Sequence, residues 1–255
     1  MLDRFQSVTL ILSTLLVFSN WLTPAVGKAD LISQAKDELP PAPGTGTPVG
    51  NPRPGTTRPE VNCKETSKSL VALFLKTGDN LIHAEYPSLW FYIPYEPDDI
   101  RQIEFLLLDG KERRTIYRTQ VDLAETAGVI KIAIPEDPQY ALNVNETYRW
   151  YLKLDCKPDE TVEPDLVVDG WLRRLPLESL PPDPLAAMTF QNYLFYRDND
   201  LWYDAINTLA ELHFANPENR QFSSAWAELL ESFGANEIAS EQRVGAELRS
   251  SEQDD

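Results

Sequence analysis

The sequence predicts a β+α protein: an antiparallel β-sandwich of immunoglobulin or fibronectin-III kind, followed by a C-terminal three-helix, repeat-like segment. Three observations carry this. From Ser69 to Arg174, about seven short apolar stretches are separated by turn-rich residues, the pattern of a two-sheet sandwich. The connections between them are too short to hold helices, which argues against a parallel α/β sheet. After Leu175 the apolar spacing shifts to the helical period of about 3.6 residues.

The elements follow in chain order. Residues 1–27 read as a secretory signal peptide. Arg4 heads the apolar run Val8–Leu22, and small residues at Ala25 and Gly27 mark the exit. The run is short for a spanning helix, which needs about 20 residues. An uncleaved N-terminal anchor is the alternative, and it is the one expected route to a membrane. Residues 28–62 form a Pro/Gly-rich tether, with "PPAPGTGTPVGNPRPGTTRP" at its centre. Proline removes backbone donors and such a composition has little to bury, so an extended, disordered segment is expected.

The sandwich is expected over 63–175. Its strand candidates are Leu70–Lys76, Ser88–Pro94, Gln102–Asp109, Arg114–Gln120, Val129–Pro135, Thr147–Cys156 and Leu166–Arg174. "TYRWYLKLDC" puts Tyr148, Trp150, Leu152, Leu154 and Cys156 on one face and Arg149, Tyr151, Lys153 and Asp155 on the other. Cys156 therefore points toward the core with Trp150. The sequence holds two cysteines, Cys63 and Cys156, far apart in the chain and unlike a metal knuckle or a CxxC pair. In an exported chain they predict one disulfide; two buried free thiols are the alternative.

The stretch "SLWFYIPY" is apolar on both faces. Leu89, Phe91 and Ile93 make one; Trp90, Tyr92 and Pro94 make the other. The second face needs a cover, and the helical segment is the candidate. Left uncovered, Trp90 and Tyr92 would form a flat platform for sugar rings.

The helical segment is expected over 184–234 as a hairpin plus a capping helix: Pro184–Arg197, Leu201–Phe214 with Asn199 or Asp200 as N-cap, and a third helix from near Asn219. The third carries Phe222, Ala225, Trp226, Leu229, Leu230 and Phe233 on one stripe, with Gly234 where a C-terminal glycine belongs. Residues 235–255 are polar and acidic and read as a disordered tail.

Two resemblances add to this. Tyr196, Ala205 and Pro217 fall at the offsets of a tetratricopeptide repeat, a helical hairpin of about 34 residues, so the C-terminal part resembles a single such repeat. One repeat must lean on something else to bury both its sides. The mature chain resembles the cyanobacterial family known as domain of unknown function 928, on Cys63, "YPSLWFYIPY", "TYRWYLKLDC", "DGWLRR" and "LWYDAINTLAEL". That resemblance implies an exported cyanobacterial protein with no established activity.

The chemistry-bearing residues form no motif. A net charge of −17 excludes a nucleic-acid partner, which needs clustered Lys and Arg. His83 and His213 are the only histidines and form no metal-ligand spacing, so no metal is expected. His213, at a helix end, suits a cation. No P-loop, GxGxxG or GxSxG occurs, and no cofactor is expected. "DNDLWYD" begins like a calcium loop but lacks the glycine and closing glutamate.

The expected function is an exported, non-catalytic interaction or scaffold module of the cell envelope, in the periplasm or at the cell surface, binding an unknown envelope protein. Trp90, Tyr92 and Trp202 are the candidate partner or ligand face. The alternatives are an envelope polysaccharide-binding module on Trp90 and Tyr92, and a hydrolase working through paired carboxylates.

Overall fold

Alternating strands need two cores only when both of their faces are apolar, and the stretch Ser88–Ile93 meets that condition. The computed structural model describes residues 63–74, 80–157, 164–176 and 188–250. It is a mixed β-sheet domain with three C-terminal helices, β+α as expected. The expected signal peptide and tether lie outside the described residues, as do residues 251–255.

The strands are β1 (Val71–Ala72), β2 (Leu81–Ile82), β3 (Ser88–Ile93), β4 (Ile100–Asp109), β5 (Thr115–Leu123), β6 (Gly128–Ala133), β7 (Thr147–Cys156), β8 (Leu166–Arg174) and β9 (Ala246–Ser250). One sheet has the order β1-β3-β6, the other β2-β8-β7-β4-β5-β9. Neighbours pair antiparallel except β2 with β8, which run parallel. Two strands, β2 and β9, go beyond the expected set. The parallel β2 is two residues long, too short for any periodicity to show.

Strand β9 corrects the expected disordered tail over its described part. The stretch is polar, yet β9 pairs along β5, with Val121 opposite Leu248. Just before it, Val129 and Val244 exchange backbone hydrogen bonds with the 242–244 segment and β6. Buried Val244 and the Arg243–Glu211 ion pair at 2.9 Å hold this return to the body. An edge strand is held by backbone ladders, which composition does not report.

The two sheets face each other over one core. Leu89, Phe91 and Ile93 of β3 meet Phe105 and Leu107 of β4 and Trp150, Leu152 and Leu154 of β7. Trp150 lies opposite Gly170 of β8, and a side-chain carbon there would stand 2.4 Å from its indole. Only glycine lets the strand pass that ring. Cys63 and Cys156 are joined by a disulfide, S–S 1.98 Å. It closes a loop with a sequence separation of 93. On a chain-entropy argument such a loop contributes up to about 4.5 kcal/mol.

A second core lies on the other side of the three-stranded sheet. The helices are α1 (Phe190–Asp198), α2 (Trp202–Ala215) and α3 (Arg220–Ser232). Thr189 caps α1 by accepting from Asn192, and Asn219 caps α3 by accepting from Gln221 and Phe222. Leu201, not Asn199 or Asp200, occupies the cap position of α2, and no side chain closes it. Asp200 instead takes a left-handed φ of 59° in the turn. Gly234, with φ +70°, ends α3 through the Ala235 N–H bond to the Leu230 carbonyl.

Helix α2 packs over β3, and α1 and α3 pack against α2, so the apolar residues of all three share one core. Trp90 and Tyr92 meet Ile206, Leu209, Trp226 and Leu230. The Trp90 indole stacks on Phe214 at 5.8 Å and donates to Asn207 Oδ1 at 3.1 Å. The molecule is thus three layers: six-stranded sheet, three-stranded sheet, helices. No helix among the described residues is long and apolar enough to cross a membrane.

Trp90 is 1% exposed, at the centre of the second core. Trp90→Ala should lower unfolding free energy by about 3–5 kcal/mol in urea titrations. Trp90→Phe, which refills most of the volume and loses only the donor, should lower it by less.

Candidate functional site: the outer sheet face and its corner pocket

The structure places the expected partner face inside the protein. Trp90 and Tyr92 are buried under the helices and offer no platform. Trp202 is half-buried at the far side of that layer, its ring edge against Phe233 at 6.4 Å. The three do not share an open face, because β3 is a middle strand covered on both sides. Cys63, Cys156 and Asp165 cluster within 4.8 Å, but the sulfurs are bonded to each other and Asp165 accepts from the Cys156 N–H at 2.8 Å.

The histidines stand apart. His83 precedes β3, and burial first, then the Arg174 charge, pushes its pKa down. His213 is in the last turn of α2, stacked on Trp226 at 5.6 Å. Burial lowers its pKa as well, so packing overrides the helix-end preference for a cation.

Tyr203 and Asp204, in the first turn of α2, tie the helices to the strands. Tyr203 reaches into the sandwich, where its hydroxyl accepts from Trp150 Nε1–H at 2.8 Å and donates to the Trp171 carbonyl at 3.0 Å. Asp204 accepts from the backbone N–H of His83 at 2.7 Å and of Ala84 at 3.2 Å. Burial outweighs these bonds and raises its pKa to about 7. The sequence shows both only as members of "LWYDAINTLAEL", since nothing in a helical period says that a helix will supply a ligand to a distant backbone.

The open surface is the outer face of the six-stranded sheet. Register puts Arg149 of β7 beside Trp171 of β8, and Tyr151 beside Asp169. The Arg149 guanidinium lies 4.6 Å from the Trp171 ring centre and 5.3 Å from that of Tyr151, and it pairs with Asp169. Its Nε and Nη1 have no acceptor. Tyr151 donates to Glu112 of the β4–β5 hairpin at 2.8 Å. Val167 stands 42% exposed on the same face. Alternation in "TYRWYLKLDC" already separates Arg149 and Tyr151 from the core; the stacking on Trp171 needs the β7–β8 register.

At one end of this face is a pocket of about 500 Å³. Lys111 and Arg114 enter from the β4–β5 hairpin, Arg173 from the end of β8, and Asn143, Asn145 and Glu146 from the loop before β7. Asp109 also lines it, but its carboxylate accepts from the Arg113 N–H at 2.8 Å. Those turn N–H groups hold Asp109 below the usual carboxylate range. A second pocket of about 570 Å³ lies where His213 and Phe214 meet Glu241, Gln242 and Arg243. Asp204, the carboxyl raised to about 7, lines neither.

The family described as Domain of Unknown Function (DUF928) matches residues 53–243, most of the chain and every element of the fold except β9. This chain is a DUF928 protein. The match spans both the six-stranded sheet with its pocket and the helical layer, so the three-layer body lies within the DUF928 region. No curated protein matches it. A crystal structure of wild-type OgpA from Akkermansia muciniphila is similar at TM-score 0.24 and 11% identity, covering 45% of this DUF928 chain and 29% of that chain. A likeness of that size carries no argument about fold or activity.

The raised Asp204 makes a pH prediction. Its folded pKa of about 7 lies above the unfolded value of 3.8, so the native state holds the extra proton between them. Asp204's contribution is therefore full below about pH 4 and is lost as pH rises through 7. Asp204→Asn, a mimic of the protonated form, should lack that decline. Urea unfolding of both proteins from pH 4 to 8 should show the wild type losing stability relative to the variant.

Proposed function

We propose that this DUF928 protein is an exported, non-catalytic interaction module of the cell envelope, which holds a protein partner on the outer face of its six-stranded sheet. One observation carries the reading. The helices' apolar stripes are used in the second core, so among the described residues they leave no apolar stripe open for helix-in-groove capture. On the outer sheet face, half-buried Trp171 and Tyr151 flank the buried Arg149 guanidinium beside exposed Val167. Aromatic and arginine side chains are the types enriched where protein interfaces are strongest.

The disulfide is compatible with an exported protein, because such bonds persist in oxidising compartments. The N-terminal signal pattern and the proline tether support placement in the periplasm or at the cell surface. The two facing sheets support an immunoglobulin- or fibronectin-III-like sandwich, and Tyr196 and Ala205, both buried in the helical core, support a repeat-like origin for the helices. The non-catalytic reading rests on Asp204 and Asp109 being engaged by backbone N–H groups rather than facing each other across a cleft.

Val167 makes no core contact that would hold the fold, so Val167→Glu should leave the unfolding midpoint nearly unchanged. Pull-down from envelope extract with the native chain should retain specific proteins that the Val167→Glu chain loses by at least tenfold. Equal retention by both chains would contradict the reading.

A further inference from the structure

The corner pocket brings three basic side chains together from separate parts of the chain. Lys68, Arg101, Lys131, Arg174 and Arg243 each meet a carboxylate. Lys111, Arg114 and Arg173 meet none among the described residues, and all three line one pocket. Arg173 is 8% exposed, and its Nε and Nη1 have no acceptor among the described residues. A buried, uncompensated guanidinium is an expensive arrangement that folded proteins rarely keep without a counter-charge. The acids nearby do not supply one. Asp109 is bonded to the hairpin N–H groups and feels the Arg114 charge without forming an ion pair, and Glu146 forms no ion pair with the three cations.

The remaining lining is neutral and polar. Asn143 and Asn145 hold their places through backbone bonds, Asn143 N–H to the Tyr148 hydroxyl at 2.7 Å and Asn145 N–H to the Arg174 carbonyl at 2.8 Å. Asn145 takes a left-handed φ of 64°, which asparagine tolerates better than most residues. Their side-chain amides are left for something else, and Thr147 adds a hydroxyl. A volume of about 500 Å³ is in the range of small-molecule sites and exceeds what a lone inorganic anion fills.

We propose that this pocket binds an acidic saccharide, a uronate-type sugar whose carboxylate meets Arg173, Arg114 and Lys111. Its hydroxyls meet the Asn143 and Asn145 amides, Thr147 and the Glu146 carboxylate, which accepts from hydroxyls and repels a second acid. The mixture separates this ligand from the alternatives. A plain dianion would have no use for the amides and would be repelled by Glu146. A neutral sugar would leave the guanidinium without its counter-charge. The site uses neither Val167 nor the stacked ladder and does not rest on the protein-partner reading.

Calorimetric titration of the full chain tests it, with a galacturonate trisaccharide, a neutral galactose trisaccharide, an acidic hexapeptide and inorganic sulfate as probes. Lys111 and Arg114 are exposed hairpin side chains, so Lys111→Gln with Arg114→Gln keeps the fold, whereas Arg173→Gln alters a buried side chain. The galacturonate probe should bind the native chain, bind the double variant at least tenfold more weakly, and weaken as salt rises. The other three probes should bind at least tenfold more weakly than galacturonate. No galacturonate binding, binding indifferent to the double variant, or equal binding of the neutral sugar, peptide or sulfate each overturns the proposal. Val167→Glu should leave galacturonate binding unchanged, which separates this site from the partner face.

Discussion

A strand whose alternate residues are all apolar cannot lie at the outside of a two-layer sandwich, and β3 imposes that condition on the whole molecule. Leu89, Phe91 and Ile93 fill the space between the sheets, so Trp90 and Tyr92 necessarily face away from it. Each such aromatic carries about 150–250 Å² of surface, at roughly 25 cal/mol per Å². Leaving both in water would forfeit several kcal/mol, comparable with the net stability of a domain. The helical layer exists, in physical terms, to remove that surface. It in turn needs the sheet, since Ile206, Leu209, Trp226 and Leu230 share their core with Trp90 and Tyr92 of β3 and with Leu81 and Val129.

Apolar contact alone would let the helices slide, and the first turn of α2 removes that freedom. Tyr203 passes into the sandwich core and bonds to Trp150 and the β8 backbone, while Asp204 holds the backbone at His83 and Ala84. Two adjacent residues thus touch β8, β7 and the segment after β2. The return of the chain through Val244 to β9 adds a second tie, at the opposite edge. With two cores closed in this way, the outer face of the six-stranded sheet is the large surface left to solvent. Strand register sets which of its arginines and aromatics lie side by side.

Much of this layering was legible in the sequence. Seven of the strands follow from period-two runs, the two-faced nature of β3 from "SLWFYIPY", and the helical cover from the change of period after Leu175. Alternation in β7 put Cys156 on the core side with Trp150. What was illegible has particular causes. Strand β2 has two residues and no period. Strand β9 is polar and held through its backbone, so composition points to disorder. Trp90 and Tyr92 read equally as core or as platform until the cover is known. The corner pocket draws Lys111 and Arg114 from one turn, Asn143 and Asn145 from another and Arg173 from a strand end, and no local spacing joins them.

The central claim is that β3 and the helices form one cooperative unit. Native-state hydrogen exchange, followed as denaturant is raised, addresses it most directly. Amides of Trp90 and Tyr92 in β3 and of Ile206 and Leu209 in α2 should share one opening free energy, equal to that of global unfolding. Exchange of the α2 amides at a distinctly lower free energy, with β3 still fully protected, would show a sheet that stands without its helical cover and would contradict the account.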